Sequence, residues 1–575
     1  MRRTADAIDI TSRLRSIPRS LLLCILIGFM LTVVRFGMAC DTPMVPNMSQ
    51  VSDDLLLVQY ADRIAEGQWL GAYTKMTLAK NPGYAFILLL PNILGISYQA
   101  LFIALQACAA LCFAFVAYDV SGGIIGALVA YLLLLYMPEL FTFELFQRIY
   151  RMGIIVPFTI SLFSSYIELY LHRDLPIRKL LPWALIAGFS LFETFTLKED
   201  GVWVMPYVGV VSAILLFWWI RSRFLASLTT TDLVFRILIL VLPIAMLRVG
   251  TGYIRAKNER AYGVSTTCER TDLGFSKFCS LLLKIEGDND NPRAWVSATS
   301  LERAIAASPT LTSIAPEIQM SLEEWPDEPN GDLIFWVFRN AYEHAGGYTD
   351  GATTNAFWSA AAQELEQALD SGALPKKPGI QISALLPPVT AKDIGPTAQR
   401  CMHNLDVVLL HRHANVWREP GNGEVRDQVA AALLINGPTA VNDGTGMAPA
   451  QLRALDRNES VIAFIRGCDE AICVIQVLGM IFLLYLAFAK RYSPAQDACL
   501  FSLGLILSVT VLIIGVSMQT AYLTDFADWS TFMYSAGAYP LLWMTVMLTF
   551  CVNVRYVVER VSEGKASGAR HSRSS

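Results

Sequence analysis

Charge is scarce in this chain. Asp, Glu, Lys and Arg make up 16% of its 575 residues, where a soluble domain carries about 25%. That shortage excludes an ordinary water-soluble globule. The net charge of -4 is too small to attract nucleic acid. Only six histidines occur, and the eleven cysteines include no CxxC pair and no zinc spacing. No internal repeat is visible. Apolar residues are abundant instead: 54% of the chain is hydrophobic, with a mean hydropathy of +0.44. This composition describes a multi-pass membrane protein, mainly α-helical.

Ten apolar stretches are candidates to span: 21–38, 99–118, 123–141, 153–171, 181–197, 202–220, 233–251, 470–489, 498–518 and 537–554. The first follows a long basic segment, MRRTADAIDITSRLRSIPRS. It ends in Gly37-Met38-Ala39-Cys40, which makes a poor lipobox, so an uncleaved helix is expected rather than a signal peptide. The run 84–96 is short and interrupted by Pro91-Asn92, and is read as re-entrant or interfacial. Charge sets the sidedness. With ten spans, the basic loops at 172–179, 220–224 and 490–494 and the tail RHSRSS all face the cytoplasm. An eleventh span at 84–96 would turn them outward.

The expected organisation is an N-terminal transmembrane module (1–251), an extracytoplasmic domain (252–467) and three C-terminal transmembrane helices with a basic cytoplasmic tail (468–575). The middle domain holds 26 acidic and 19 basic residues and reads as mostly helical, with helices around 301–307 and 357–369. Cys268 and Cys279 lie within it, either bridged or as two buried thiols.

Three charged segments fall on the outer side. The first contains Asp53 and Asp54, then Gly67-Gln68-Trp69-Leu70-Gly71 and Lys80-Asn81-Pro82-Gly83-Tyr84. Adjacent carboxylates at the wet end of a membrane helix suit proton chemistry or a cation; they also suit a helix start. The second is 138–153, where Glu144, Arg148 and Arg151 stand at i, i+4 and i+7 and would share a helical face. Arginine donates two parallel hydrogen bonds and so fits a lipid phosphate; an interfacial anchor would also use it. The third is Lys198-Glu199-Asp200, a charged knot or a plain polar turn. Arg248, in an apolar run, is a further candidate phosphate ligand, and Arg236 a poorer one nearer the cytoplasmic side. His411-x-His413 offers only two metal ligands and reads as a solvated loop.

The Asp53-Asp54 loop, the Gln147-Arg148-Ile149-Tyr150-Arg151 segment and the Lys198-Glu199-Asp200-Gly201-Val202-Trp203 turn with Pro206 together resemble a bacterial group within the GT-C superfamily of membrane glycosyltransferases. More distantly, the first loop is similar to protein O-mannosyltransferases and to the lipid A aminoarabinose transferase. The resemblance implies a GT-C-like helical bundle in the inner membrane with an extracytoplasmic active site. It also implies a polyprenyl-phosphate-sugar donor. Asp53 would be the general base, Asp54 and Glu144 would assist, and Arg148, Arg151, Lys80, Lys198, Glu199, Asp200 and Arg248 would serve donor binding. No cofactor is specified, though a divalent metal stays open. Membrane lipids and a glycan, lipid or protein acceptor are the expected partners. Two departures stand out: the second acid is Asp54 where Glu is commoner, and no WWDYG-type motif occurs. A lipid-linked saccharide flippase and an O-antigen-type ligase are the rival functions. A flippase would place charges within its spans or show repeats.

Overall fold

The structure, a computed structural model, describes residues 18–225, 227–288, 291–325, 328–522 and 527–571, with backbone only at 527 and 564–571. Among the described residues, nine helices are long and apolar enough to cross a bilayer. They are α1 (Arg19–Cys40), α4 (Tyr98–Ser121), α6 (Met152–Leu171), α7 (Ile177–Leu197), α8 (Met205–Phe224, entered through the 3₁₀ turn Gly201–Val204), α9 (Thr230–Tyr262), α17 (Asp469–Phe488), α18 (Ser493–Thr520) and α19 (Ala538–His571). Many apolar side chains on them point outward, Phe29 and Met30 on α1 and Val474 and Ile475 on α17 among them. An apolar exterior is what lipid tails require. The chain is therefore a multi-pass membrane protein. The first basic segment up to residue 17 and the last four residues lie outside the described part.

The expected span 123–141 is shorter than its composition suggests. It forms α5 (Ile124–Leu135), 12 residues long, and then the 3₁₀ turn Pro138–Phe141. That helix rises only about 18 Å. Gly122, at φ +69°, turns the chain back so that α5 returns along α4. Arg35 on α1 fastens the end of α5 by donating to the carbonyls of Leu135 and Leu140, and its guanidinium lies 4.0 Å over the Phe141 ring. The run 84–96 forms α3 (Gly83–Leu94), also 12 residues. Both its ends lie at the same end of the bundle. Asn81 binds Glu199 before it, and Asn436 binds the Ile96 carbonyl after it. It does not cross.

Contacts between distant loops sort the chain into two ends. At one end His172 meets Asp119, Trp219 donates to the Arg173 carbonyl, Arg236 to that of Leu175, and Arg555 to that of Val120. The basic loops gather here. At the other end stand Asp53, residues 138–151, Lys198-Glu199-Asp200 and the insertion after α9.

The insertion is helical, including α10 (Leu273–Leu282), α11 (Ala298–Ala307), α12 (Ile334–His344), α13 (Gly351–Asp370), α14 (Ala391–Leu409), α15 (Val425–Ile435) and α16 (Pro449–Arg466). Among the described residues there is no extended strand, only isolated bridges such as Met44 with Thr439 and Asn47 with Asn422. Phe278, Phe338 and Trp358 centre a core of its own. Val407, Val408, Ile435 and Ile462 instead join the core of the membrane bundle. Cys268 and Cys279 are buried free thiols, and Cys268 donates to the Ala79 carbonyl.

The two ends give a direct test of sidedness. A membrane-impermeant thiol reagent applied to intact cells is expected to label Ala345→Cys, which is exposed in the insertion, and to spare Ser493→Cys at the basic end. The reverse pattern would invert the topology.

Candidate functional site

Asp53 and Asp54 do not cap a helix. They sit in a π turn, Val51–Leu55, that runs into α2 (Leu56–Ala65), and neither element has a side-chain cap. Consecutive residues on a helical turn point in different directions, and here the two carboxylates divide. Asp54 is fully buried, and Arg148 grips it with both fork nitrogens, Nε at 2.8 Å and Nη2 at 2.6 Å. Asp53 keeps 26% of its side chain exposed. It accepts from the Lys80 ammonium and, at 2.9 Å, from the Tyr150 hydroxyl.

The expected common helical face of Glu144, Arg148 and Arg151 does not form. Phe143–Gln147 is a single π turn, Arg148 is extended (φ -72°, ψ 132°), and Arg151 precedes the first turn of α6. The cause is a competing backbone pairing: Val45 donates to the Gln147 carbonyl at 2.7 Å, which draws this stretch straight. Gly153 lets it pass closely, since a Cβ there would lie 1.9 Å from the Leu145 carbonyl oxygen. Glu144 still reaches Arg148, at 3.6 Å. Arg148, read as a phosphate ligand, is 2% exposed, and its donors are committed to Asp54, Glu144 and the Met533 sulfur. It is paired instead with Asp54. Arg151 is likewise enclosed. It donates to the Leu197 carbonyl and to Glu199, both at 2.9 Å.

The third segment converges on the first two through Glu199, which also accepts from the Asn81 backbone at 2.9 Å. Gly83 is what allows this closeness, since a Cβ there would meet the Thr196 backbone at 2.6 Å. Lys198 pairs with the half-exposed Asp200 at 2.5 Å and lies 4.6 Å over the Tyr534 ring. Both line a recess of about 10 Å³ beside Tyr534. Arg248 does not join them. It is exposed on the flank of α9, and Arg236 is at the opposite end of the bundle.

The insertion holds Lys80 in place, a feature that sequence reasoning missed. Arg339 of α12 donates to the backbone carbonyls of Lys75 and Thr77 and to Glu269, while the Glu269 backbone donates to Leu78. Trp69 of the Gly-Gln-Trp-Leu-Gly turn donates to Asn258 at 2.8 Å. The first loop is thus clamped by residues about 200 to 270 positions downstream.

These pairs set the proton affinities. Burial alone would raise the Asp53 carboxyl, but Lys80, with Arg151 and Arg148 behind it, outweighs burial and holds Asp53 well below the usual carboxylate range. Glu199 is held down at about 2, with Arg151 overcoming its burial. Burial dominates for Asp54, raising it against the pull of Arg148, and for Glu144, which is pushed up to about 7. The carboxyls that burial raises are therefore Asp54 and Glu144, and not Asp53.

Glu144 gives a pH signature. Its folded form keeps a proton that the unfolded chain releases above about 4.3, so its contribution to stability is lost as pH rises toward 7. Between about pH 5 and 6.5, the thermal midpoint in detergent is expected to fall for the wild type relative to Glu144→Gln. Parallel curves would mean that Glu144 is already ionised.

His411 is not in a solvated loop. It is 5% exposed, at φ +45°, between Glu139 (2.9 Å) and Asp469 (3.0 Å). His413 pairs separately with Asp528 at 3.2 Å, so the two histidines share no ligand. Among the described residues, one group of three could hold a metal: Asp119, Glu168 and His172, at the basic end and away from Asp53.

No family model and no curated protein matches the chain. Among solved structures it is similar to ArnT from Cupriavidus metallidurans in the apo state, with 12% identity and a TM-score of 0.27 over 87% of this chain and 77% of that one. The same protein bound to undecaprenyl phosphate gives 13% and 0.26 over the same shares. What the site can do follows from this chain's own side chains.

Proposed function

We propose that this chain is a GT-C-type membrane glycosyltransferase, moving a sugar from a polyprenyl-phosphate donor to an extracytoplasmic acceptor. The observation that carries the reading is the accessible Asp53 carboxylate, held between Lys80 and Tyr150 at one end of a membrane bundle. Lys80 links donor binding to base strength. While it rests on Asp53, the carboxylate is a weak base. A phosphate arriving on the exposed side of Asp53 competes for the ammonium of Lys80, which is 5% exposed and turns toward it. The freed carboxylate then gains proton affinity as its main counter-charge is shared. Asp53 takes the acceptor hydroxyl proton, the acceptor oxygen bonds to the sugar carbon, and the bond from that carbon to the phosphate oxygen breaks. The electron pair leaves with polyprenyl phosphate, toward Lys80. Glu199 keeps Arg151 oriented at the edge of this cluster, and Asp54 with Arg148 forms its rigid floor.

The test is direct. Purified full-length protein in liposomes, given undecaprenyl phosphate carrying a labelled sugar and a cell-envelope extract as acceptor, is expected to release undecaprenyl phosphate and to label the acceptor. Label moved across the bilayer while still attached to the lipid would support a flippase instead.

A further inference from the structure

A second polar cluster lies apart from Asp53, at the head of an apolar groove. The groove has a volume of about 290 Å³ and runs between α17, α18 and α19. Cys473, Val477, Met480, Ile506 and Val546 form part of its wall. Val477 is 60% and Ile506 38% exposed on the outer surface of the bundle, so the groove opens toward lipid. At its head are Glu139, His411 and Asp469.

The cluster is built and incomplete. Glu139 is fully buried, and its Oε1 accepts from His411 at 2.9 Å and from the Trp543 indole at 3.1 Å. Its Oε2 has no hydrogen-bond partner among the described residues. A buried carboxylate oxygen left bare is costly. The His411 ring stacks near-parallel to Tyr539 and Trp543, at 5.9 and 6.3 Å between centroids. Aromatic faces in that position favour a cationic ring. Burial would lower the His411 pKa, but Glu139 and Asp469 raise it to about 9. Two carboxylates around one imidazolium leave a formal charge of -1.

We infer that this groove seats a membrane phospholipid with a primary ammonium headgroup, whose N–H donates to Glu139 Oε2 while an acyl chain lies along α17 and α18. Charge complementarity selects the occupant. One positive charge balances the cluster, whereas an anionic head would meet two carboxylates at low dielectric. A quaternary ammonium brings the charge but no donor for Oε2. Aminophospholipid is also the form in which such a head reaches a groove that opens sideways into the bilayer. The inference goes beyond the proposed transferase and does not depend on it.

The test uses the full chain in nanodiscs of equal phosphatidylethanolamine, phosphatidylcholine and phosphatidylglycerol. After extraction, the retained lipid is measured by mass spectrometry. Phosphatidylethanolamine is expected to be retained about tenfold over the other two, as one well-made charged hydrogen bond is worth. Glu139→Gln should abolish the preference. So should Ile506→Trp, which fills the groove from its outer wall and leaves the cluster intact. Should Glu139→Gln fail to fold, competition on the wild type decides: hexadecylamine should displace the lipid at lower concentration than hexadecyltrimethylammonium. Retention of the three lipids in equal amounts, a preference surviving Ile506→Trp, or equal displacement by the two amines overturns the inference.

Discussion

Asp53→Asn is expected to leave a folded, membrane-inserted protein that transfers sugar about 10²–10⁴-fold more slowly, a barrier increase of about 3–5 kcal/mol. Asparagine keeps the shape and can still accept from Lys80 and Tyr150, so the local hydrogen bonds survive. It cannot take a proton. The clamp on the first loop runs through Arg339 and Glu269 and does not use Asp53. Loss of activity without loss of fold is thus the specific signature. Lys80→Met should also impair turnover, by a different route: it frees the Asp53 carboxyl to rise toward the ordinary range, so the acidic limb of the pH–rate profile should move upward. Near wild-type transfer by Asp53→Asn, at matched protein levels, would remove Asp53 as the base. It would also remove the main residue-level support for a transferase.

The second large effect concerns stability. Arg148→Met leaves the Asp54 carboxylate with no exposure and without its bidentate partner. Breaking a buried pair from one side costs about 3–5 kcal/mol, because the remaining charge has neither water nor a counter-ion. Near-complete loss of folded protein in detergent is expected. Replacing both partners, Asp54→Leu with Arg148→Met, should recover most of that loss, since an apolar pair of similar volume is often neutral. A thermal-shift series of the two single variants and the double variant measures the coupling. A stable Arg148→Met protein that no longer binds polyprenyl phosphate would instead restore Arg148 as a donor ligand.

The contrast between Arg148 and Asp53 shows where sequence reading stops. Guanidinium chemistry suits a phosphate, and the residue type alone says nothing of a nearer carboxylate. Asp54 lies 94 positions away and takes the fork first. Glu139, His411 and Asp469 are separated by 272 and 58 positions, so no local pattern marks them, and a lone His-x-His reads as solvent-exposed. The helical spacing of Glu144, Arg148 and Arg151 was overridden by a backbone pairing with Val45, which no periodicity can foresee.

What the sequence determined by itself was everything governed by local transfer energy. Runs of apolar residues marked nine of the ten expected spans, because each carries its own hydropathy and satisfies its own backbone hydrogen bonds; the tenth, 123–141, stops as a helix at Leu135, where Arg35 takes the Leu135 and Leu140 carbonyls. Pro91-Asn92 and shortness marked 84–96 as non-crossing, and α3, one continuous 12-residue helix, has both its flanks at the same end of the bundle. The charged segments at 53–54, 144–151 and 198–200 were legible as groups that could not be placed among lipid tails. Which acid meets which cation was decided only by the tertiary structure. Ion pairing depends on distance and burial between residues far apart in the chain, and both are set by helix packing, not by neighbours in sequence.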